Sequence, residues 1–185
     1  MIGSTPSATF SLEIQLAPDL DDAPLPRILQ GELEACLMAL TQTLPEISAQ
    51  PLSRDICLRL CDEVESQELN RDYRERDKPT NVLSFGVQEP EAVFPTLESA
   101  ESLNDVPEMP LGDLAICWPI VVREARQQHK TTSHHLSHLF IHGVLHLMGW
   151  DHEVSAAALA METIERAALA QLDIADPYIS QVVDA

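Results

Sequence analysis

Three histidines fall at spacings of four and then six in the segment HGVLHLMGWDH, from His142 to His152. Residues four apart share one face of a helix, with Cβ atoms about 6 Å apart, and His138 extends the row by one turn. On such a helix His138 and His146 would stand roughly 12 Å apart along the axis, whereas an imidazole–zinc bond is about 2.0 Å long. One ion can therefore take two neighbours of the row and hardly all three, so a further ligand must come from outside the helix. Gly149 offers the helix a stop, because glycine takes the left-handed conformation at a C-terminus without steric cost. The chain can then turn back and bring His152 towards the pair. Three neutral imidazoles with open remaining positions describe a catalytic zinc site rather than a closed structural one. Asp151 is placed to orient a ligand or to accept a hydrogen bond from bound water. His129, His134 and His135 have no comparable spacing and read as solvated residues. The metalloprotease helix H-E-x-x-H carries its general base after the first histidine. Gly143 stands there in this chain, which argues against a peptidase.

The elements around this segment read as strands early and helices late. TFSLEIQL alternates, with Phe10, Leu12, Ile14 and Leu16 on one face, as a half-buried strand does. RILQGELEACLMALTQTL has helical spacing through Ile28, Leu33, Cys36, Leu37 and Leu40, with Gly31 as a weak point. DICLRLCDE alternates again through Ile56, Leu58 and Leu60. ESQELNRDYRERDKP reads as a helix and a charged loop, and NVLSFGV and GDLAICW as short strands. Three helical segments follow: PIVVREARQQHK, TTSHHLSHLFIHGVLHLM and SAAALAMETIERAALAQL. With one βαβ-like passage, the order predicts an α+β fold: one domain over residues 1–185, with a small mixed sheet packed by helices. Within it, residues 88–110 hold Pro90, Pro95, Pro107 and Pro110, six acidic residues and no base, and are expected to form an exposed loop.

The chain has 185 residues and is 45% hydrophobic but only 4% aromatic, so aliphatic side chains must fill the core. Its net charge of −19 opposes non-specific adhesion to DNA, RNA or anionic membrane. No uninterrupted apolar run long enough for a membrane span is present, and the N-terminal residues do not read as a signal peptide, so a cytoplasmic protein is expected. The four cysteines, Cys36, Cys57, Cys61 and Cys117, have no C-x-x-C spacing. Cys57 and Cys61 on one strand would lie about 13 Å apart, beyond the roughly 7 Å that a disulfide allows. Reduced thiols are the expectation.

HGVLHLMGWDH is similar to the H-G-x-L-H-L-x-G-Y-D-H motif of the YbeY family of bacterial rRNA-maturation endoribonucleases. ELNRDYRERDKPTNVLSF, residues 68–85, resembles that family's E-L-N-x-x-Y-R-x-x-D-x-P-T-[DN]-V-L-S-F block. LGDLAIC resembles its L-G-D-I-x-I strand, His138 matches a histidine one turn before the motif, and ADPY near the end is also family-like. Trp150 stands for the usual tyrosine, Gly86 for a common proline, and the acidic stretch is longer than expected. The resemblance implies a zincin-like metal-dependent hydrolase fold. It implies one divalent ion per chain, generally zinc, held by His142, His146 and His152, and a functional arginine at Arg74. It also implies a role in maturing the 16S rRNA 3′ end and in ribosome quality control. His138 and Asp151 join Arg74 as candidate catalytic residues.

For RNA, two routes are open: activated water attacks phosphorus, or the neighbouring 2′-OH attacks after losing its proton. Either way the phosphorane gains negative charge, which arginine meets with two parallel hydrogen bonds. Arg71, Arg74, Arg76 and Lys78 cluster within eight positions, interleaved with Asp72, Glu75 and Asp77, so the block carries a net charge of only about +1. Phosphate contacts usually supply most nucleic-acid affinity. A chain this acidic is expected to bind single-stranded RNA weakly and to be delivered by a small-subunit ribosomal protein or an assembly GTPase. A non-catalytic ribosome-assembly factor whose metal braces the fold, or a zinc hydrolase acting on another substrate, are the alternatives.

Overall fold

In the computed structural model, residues 10–20, 25–44, 54–86, 110–150 and 155–179 are described. The acidic segment lies outside them except for Pro110. Strand β1 (Phe10–Leu16) follows its alternation: Phe10, Leu12, Ile14 and Leu16 are half-buried and the residues between them exposed. After a single 3-10 turn comes helix α1 (Leu25–Thr43), then strand β2 (Arg54–Cys61), helix α2 (Glu63–Arg74) and strand β3 (Val82–Gly86). Strand β4 (Gly112–Cys117) leads into helices α3 (Trp118–Gln127), α4 (Thr132–Leu147) and α5 (Ser155–Gln171).

The sheet order is β1-β2-β4-β3. The first three strands are parallel, with Leu12 opposite Ile56 and Leu58 opposite Leu114. The edge strand β3 runs antiparallel to β4, with Val82 opposite Ile116. The α+β reading with a mixed sheet therefore holds. Leu114, Ala115, Ile116 and Cys117 of β4 are all buried, as expected of an inner strand covered on both faces. On one face Ile56, Leu58, Leu60, Leu114 and Ile116 pack with α1, α4 and α5 into the main core. On the other, Cys61, Cys117 and Ile120 form a smaller cluster. The cysteines are free thiols, as expected. Cys61 and Cys117, far apart in sequence, are in register on adjacent strands.

Two glycines set the approach of the pieces that matter for function. Gly112 has φ of +140°, and a Cβ there would stand 2.4 Å from the Phe85 carbonyl oxygen. Gly143, in the middle of α4, lets that helix settle on the sheet: a Cβ would meet Leu114 Cδ2 at 2.9 Å and Val82 Cγ2 at 3.3 Å. A side chain at 143 would press on the Leu114 and Val82 methyl groups, which would have to shift to admit it. Helix α4 is buried nearly all round, as expected for a central core helix. Its one polar stripe is the half-buried row His138, His142 and His146.

Candidate functional site

Helix α4 is capped by Thr131, whose hydroxyl accepts from the backbone N–H of His134. It stops where Gly149 turns left-handed at φ +85°. Gly149 N–H reaches the His146 carbonyl and Trp150 N–H the Leu145 carbonyl, both at 3.0 Å. That pair of bonds is the Schellman closure, which satisfies the last carbonyls of a helix. The glycine stop read from the sequence is therefore present directly after the histidine row. Asp151 and His152 lie outside the described residues.

The row does not behave as three equivalent imidazoles. The His142 and His146 rings are 4.6 Å apart between centroids, and their Nε2 atoms face each other at 3.2 Å. The His138 and His142 rings are 6.4 Å apart. Two nitrogens bound to one tetrahedral zinc at about 2.0–2.1 Å stand about 3.3–3.4 Å apart. The His142–His146 pair thus has the spacing and donor chemistry of two corners of a zinc tetrahedron. Among the described residues no set of three His, Cys, Asp or Glu side chains is arranged to hold one metal ion.

Behind the pair stands Glu165 of α5, which is wholly buried. His142 Nδ1 donates to Glu165 Oε1 at 2.8 Å, and His138 Nε2 meets Glu165 Oε2 at 3.1 Å. The Tyr178 hydroxyl donates to the same Oε2. Burial alone would raise the carboxyl pKa. The hydrogen bonds from His138, His142 and Tyr178 outweigh burial and hold it at about 2. Burial and the neighbouring carboxylate push the Tyr178 phenol up. The Tyr178 ring also meets the His138 ring edge-on at 5.6 Å and lies 4.8 Å from the Arg166 guanidinium carbon. Sequence reading missed both residues. The signal for Glu165 was present: Met161, Ile164, Ala168 and Leu169 form the buried stripe of α5, and a carboxylate sits inside it. Tyr178 belongs to the ADPY segment, which carried no role.

Arg74 ends α2 and is exposed. One guanidinium nitrogen donates to the Ser84 carbonyl at 3.0 Å, and the Ser84 hydroxyl donates to the Gly143 carbonyl at 3.1 Å. Two hydrogen-bond links therefore join Arg74 to the residue after His142. Among the described residues Arg74 forms no ion pair, whereas Arg71 is taken up by Asp72 at 2.8 Å. The loop after Arg74 is tied down from within. Asn70 donates to the Lys78 carbonyl at 2.7 Å, and Ser66 exchanges hydrogen bonds with Thr80 at 2.8 and 3.0 Å. Asn81 donates to Glu124 at 3.1 Å.

His135 corrects the sequence reading. It is 3% exposed rather than solvated, and its Nε2 contacts Glu124 Oε2 at 2.8 Å. Its ring lies on the core side of α4, one turn before His138, and burial lowers its pKa against the pull of Glu124. His129 and His134 are exposed, as read.

A family model described as Endoribonuclease YbeY matches residues 27–173. A protein of that name from Acinetobacter baumannii is 50% identical over 125 residues, covering 67% of this chain and 73% of the relative. Another from Rhodopseudomonas palustris is 41% identical over 153 residues, covering 82% of this chain and 84% of the relative. Among solved structures, the solution structure of TM1509 from Thermotoga maritima matches with a TM-score of 0.51 at 23% identity. It covers 91% of this chain and 99% of that one, and shows the fold.

Proposed function

The chain belongs to the Endoribonuclease YbeY family, and from that premise we propose that it is a metal-dependent endoribonuclease cutting single-stranded RNA. Its place is in 16S rRNA 3′-end maturation and ribosome quality control, in the cytoplasm. The observation that carries the metal-dependent reading is the 3.2 Å approach of His142 Nε2 to His146 Nε2, a separation suited to a shared ion. His142, His146 and His152 would hold that ion, with zinc the best fit to an all-imidazole donor set. When bound, zinc polarises a phosphoryl oxygen and brings the pKa of water to about 7. The rest is the work of the chain. The exposed Arg74 guanidinium, docked on β3 beside α4, takes the charge that develops on the phosphoryl oxygens. Asp151 orients the returning ligand His152 or the attacking water. His138, in contact with Glu165, is the further candidate for moving a proton.

Among the described residues no helix is long and apolar enough to cross a membrane. The net charge of −19 leaves few groups to hold RNA phosphates. A small-subunit ribosomal protein or an assembly GTPase supplies the missing affinity by raising the local concentration of the enzyme at its site. The test is cleavage of a single-stranded rRNA 3′-end fragment, with and without chelator, beside a casein digest. Chelator-sensitive RNA cleavage with intact casein is expected. Intact RNA at full metal occupancy would leave a non-catalytic assembly factor instead.

A further inference from the structure

We propose that Glu165 is a positioning residue: clamped by Tyr178 and His138, it selects the His142 tautomer whose Nε2 lone pair faces the metal position. The inference rests on the metal reading above, and not on RNA being the substrate.

Neutral imidazole carries one proton, and whichever nitrogen holds it cannot bind metal. In water the two tautomers exchange freely. Here Nδ1 of His142 lies 2.8 Å from a carboxylate oxygen, and a carboxylate can only accept. The proton is drawn to Nδ1 and the lone pair is left on Nε2, the atom that faces His146 at 3.2 Å. Such a carboxylate also fixes the ring plane and raises the basicity of the ligand nitrogen.

The carboxylate needs restraint of its own, because Glu165 reaches from another helix and could rotate. Its second oxygen is held by two groups. His138 Nε2 contacts it at 3.1 Å from one turn earlier on α4, and the Tyr178 hydroxyl donates to it from the segment after α5. That segment is fastened independently. Arg166 binds Asp176 at 3.1 Å, Lys130 reaches the Pro177 carbonyl at 3.3 Å, and Ile174 N–H bonds the Leu169 carbonyl at 3.0 Å. The ADPY segment thus acts on the metal position through Tyr178 and Glu165. His138 is recast as part of the clamp.

The test uses full-length protein and zinc alone, read by chelator competition. It is paired with long-range ¹H–¹⁵N correlation spectra of the histidine rings in the metal-free state. Wild type should show His142 protonated on Nδ1. Glu165→Met, whose thioether is only a weak, uncharged acceptor, should lose that preference and weaken zinc binding about 10–100-fold. Glu165→Gln keeps an acceptor oxygen and should fall between the two. Tyr178→Phe removes only the hydroxyl and should cost several-fold in zinc affinity with the fold intact. If Glu165→Met fails to fold, the Gln and Phe variants decide. An unchanged His142 tautomer, zinc affinity within twofold of wild type in the folded variants, or a wild type that does not bind zinc would each overturn the proposal. A wild type that binds zinc and shows this ordering, but leaves RNA intact, would sink the endoribonuclease reading and leave this one standing.

Discussion

Helix α4 makes two kinds of contact with carboxylates, and they differ in what they hold. His138 and His142 meet Glu165, which is wholly buried and also takes the Tyr178 hydroxyl. His135 meets Glu124, whose side chain is 28% exposed and which also takes Asn81. The first network stands behind the proposed metal position. The second ties α3 and α4 to Asn81, which closes the loop that begins at Arg74. Elementary chemistry makes the pairs look alike. Burial makes them different, because a carboxylate removed from water has no substitute for a lost partner, whereas a part-exposed one has solvent.

The sharpest way to break the comparison is to remove an imidazole from the proposed metal end. His146→Ala and His142→Ala should abolish stoichiometric zinc binding and activity, while His138→Ala keeps most of its metal, as elemental analysis of purified variants will read. Full loss in His138→Ala alone would make His138 the partner of His142. At the other end, Arg74→Ala should keep metal and melting temperature yet lose about 10²–10³-fold in RNA cleavage rate, the usual size for one charge-stabilising donor. Arg74→Lys should recover only part, because an ammonium lacks the two-pronged contact. Normal rates in Arg74→Ala would remove it from the mechanism.

The two carboxylates can then be compared directly. Glu165→Ala removes the wholly buried acceptor that His138, His142 and Tyr178 share and should cost about 3 kcal/mol of unfolding free energy, roughly one per hydrogen bond lost. Glu124→Ala should cost less, about 1–2 kcal/mol, because one part-exposed carboxylate is lost and one buried ring, His135, gives up its acceptor. Urea unfolding of metal-free protein measures both, and equal losses would erase the distinction drawn from burial.

The smallest effect is the pH window. The folded-state pKa of His135 lies below its ordinary 6.5, so the unfolded chain takes up the proton first. Its contribution is complete above that value and declines as pH falls below it. The folded-state pKa of Glu165, at about 2, is likewise below its ordinary 4.5, so its contribution persists to lower pH and is lost between those values. His135→Leu should flatten the first decline in urea midpoint and leave the second. A wild-type midpoint that rises as pH drops from 7 to 5 would contradict the His135 assignment.

Much of this was legible in the sequence because it depends on local periodicity. The alternation of Phe10, Leu12, Ile14 and Leu16 gave β1, and the spacing of His142 and His146 put both rings on one helix face. Gly149 ended that helix where its conformational freedom said it would. Arg74 was singled out through its motif and not through periodicity, and its proposed role rests on that motif. Three features needed the tertiary structure. Gly143 stands where Leu114 and Val82, from two different strands, would have to shift to admit a side chain. His135 is buried because α4 turns that side towards α3 and the core, which spacing within the helix cannot reveal. Glu165 finds His142 only when α5 is laid against α4. Sequence determines which face of an element a residue occupies, since that follows from a repeat of a few residues. Which face meets which is settled by the packing of all the elements at once, and here that packing places the carboxylate behind His142.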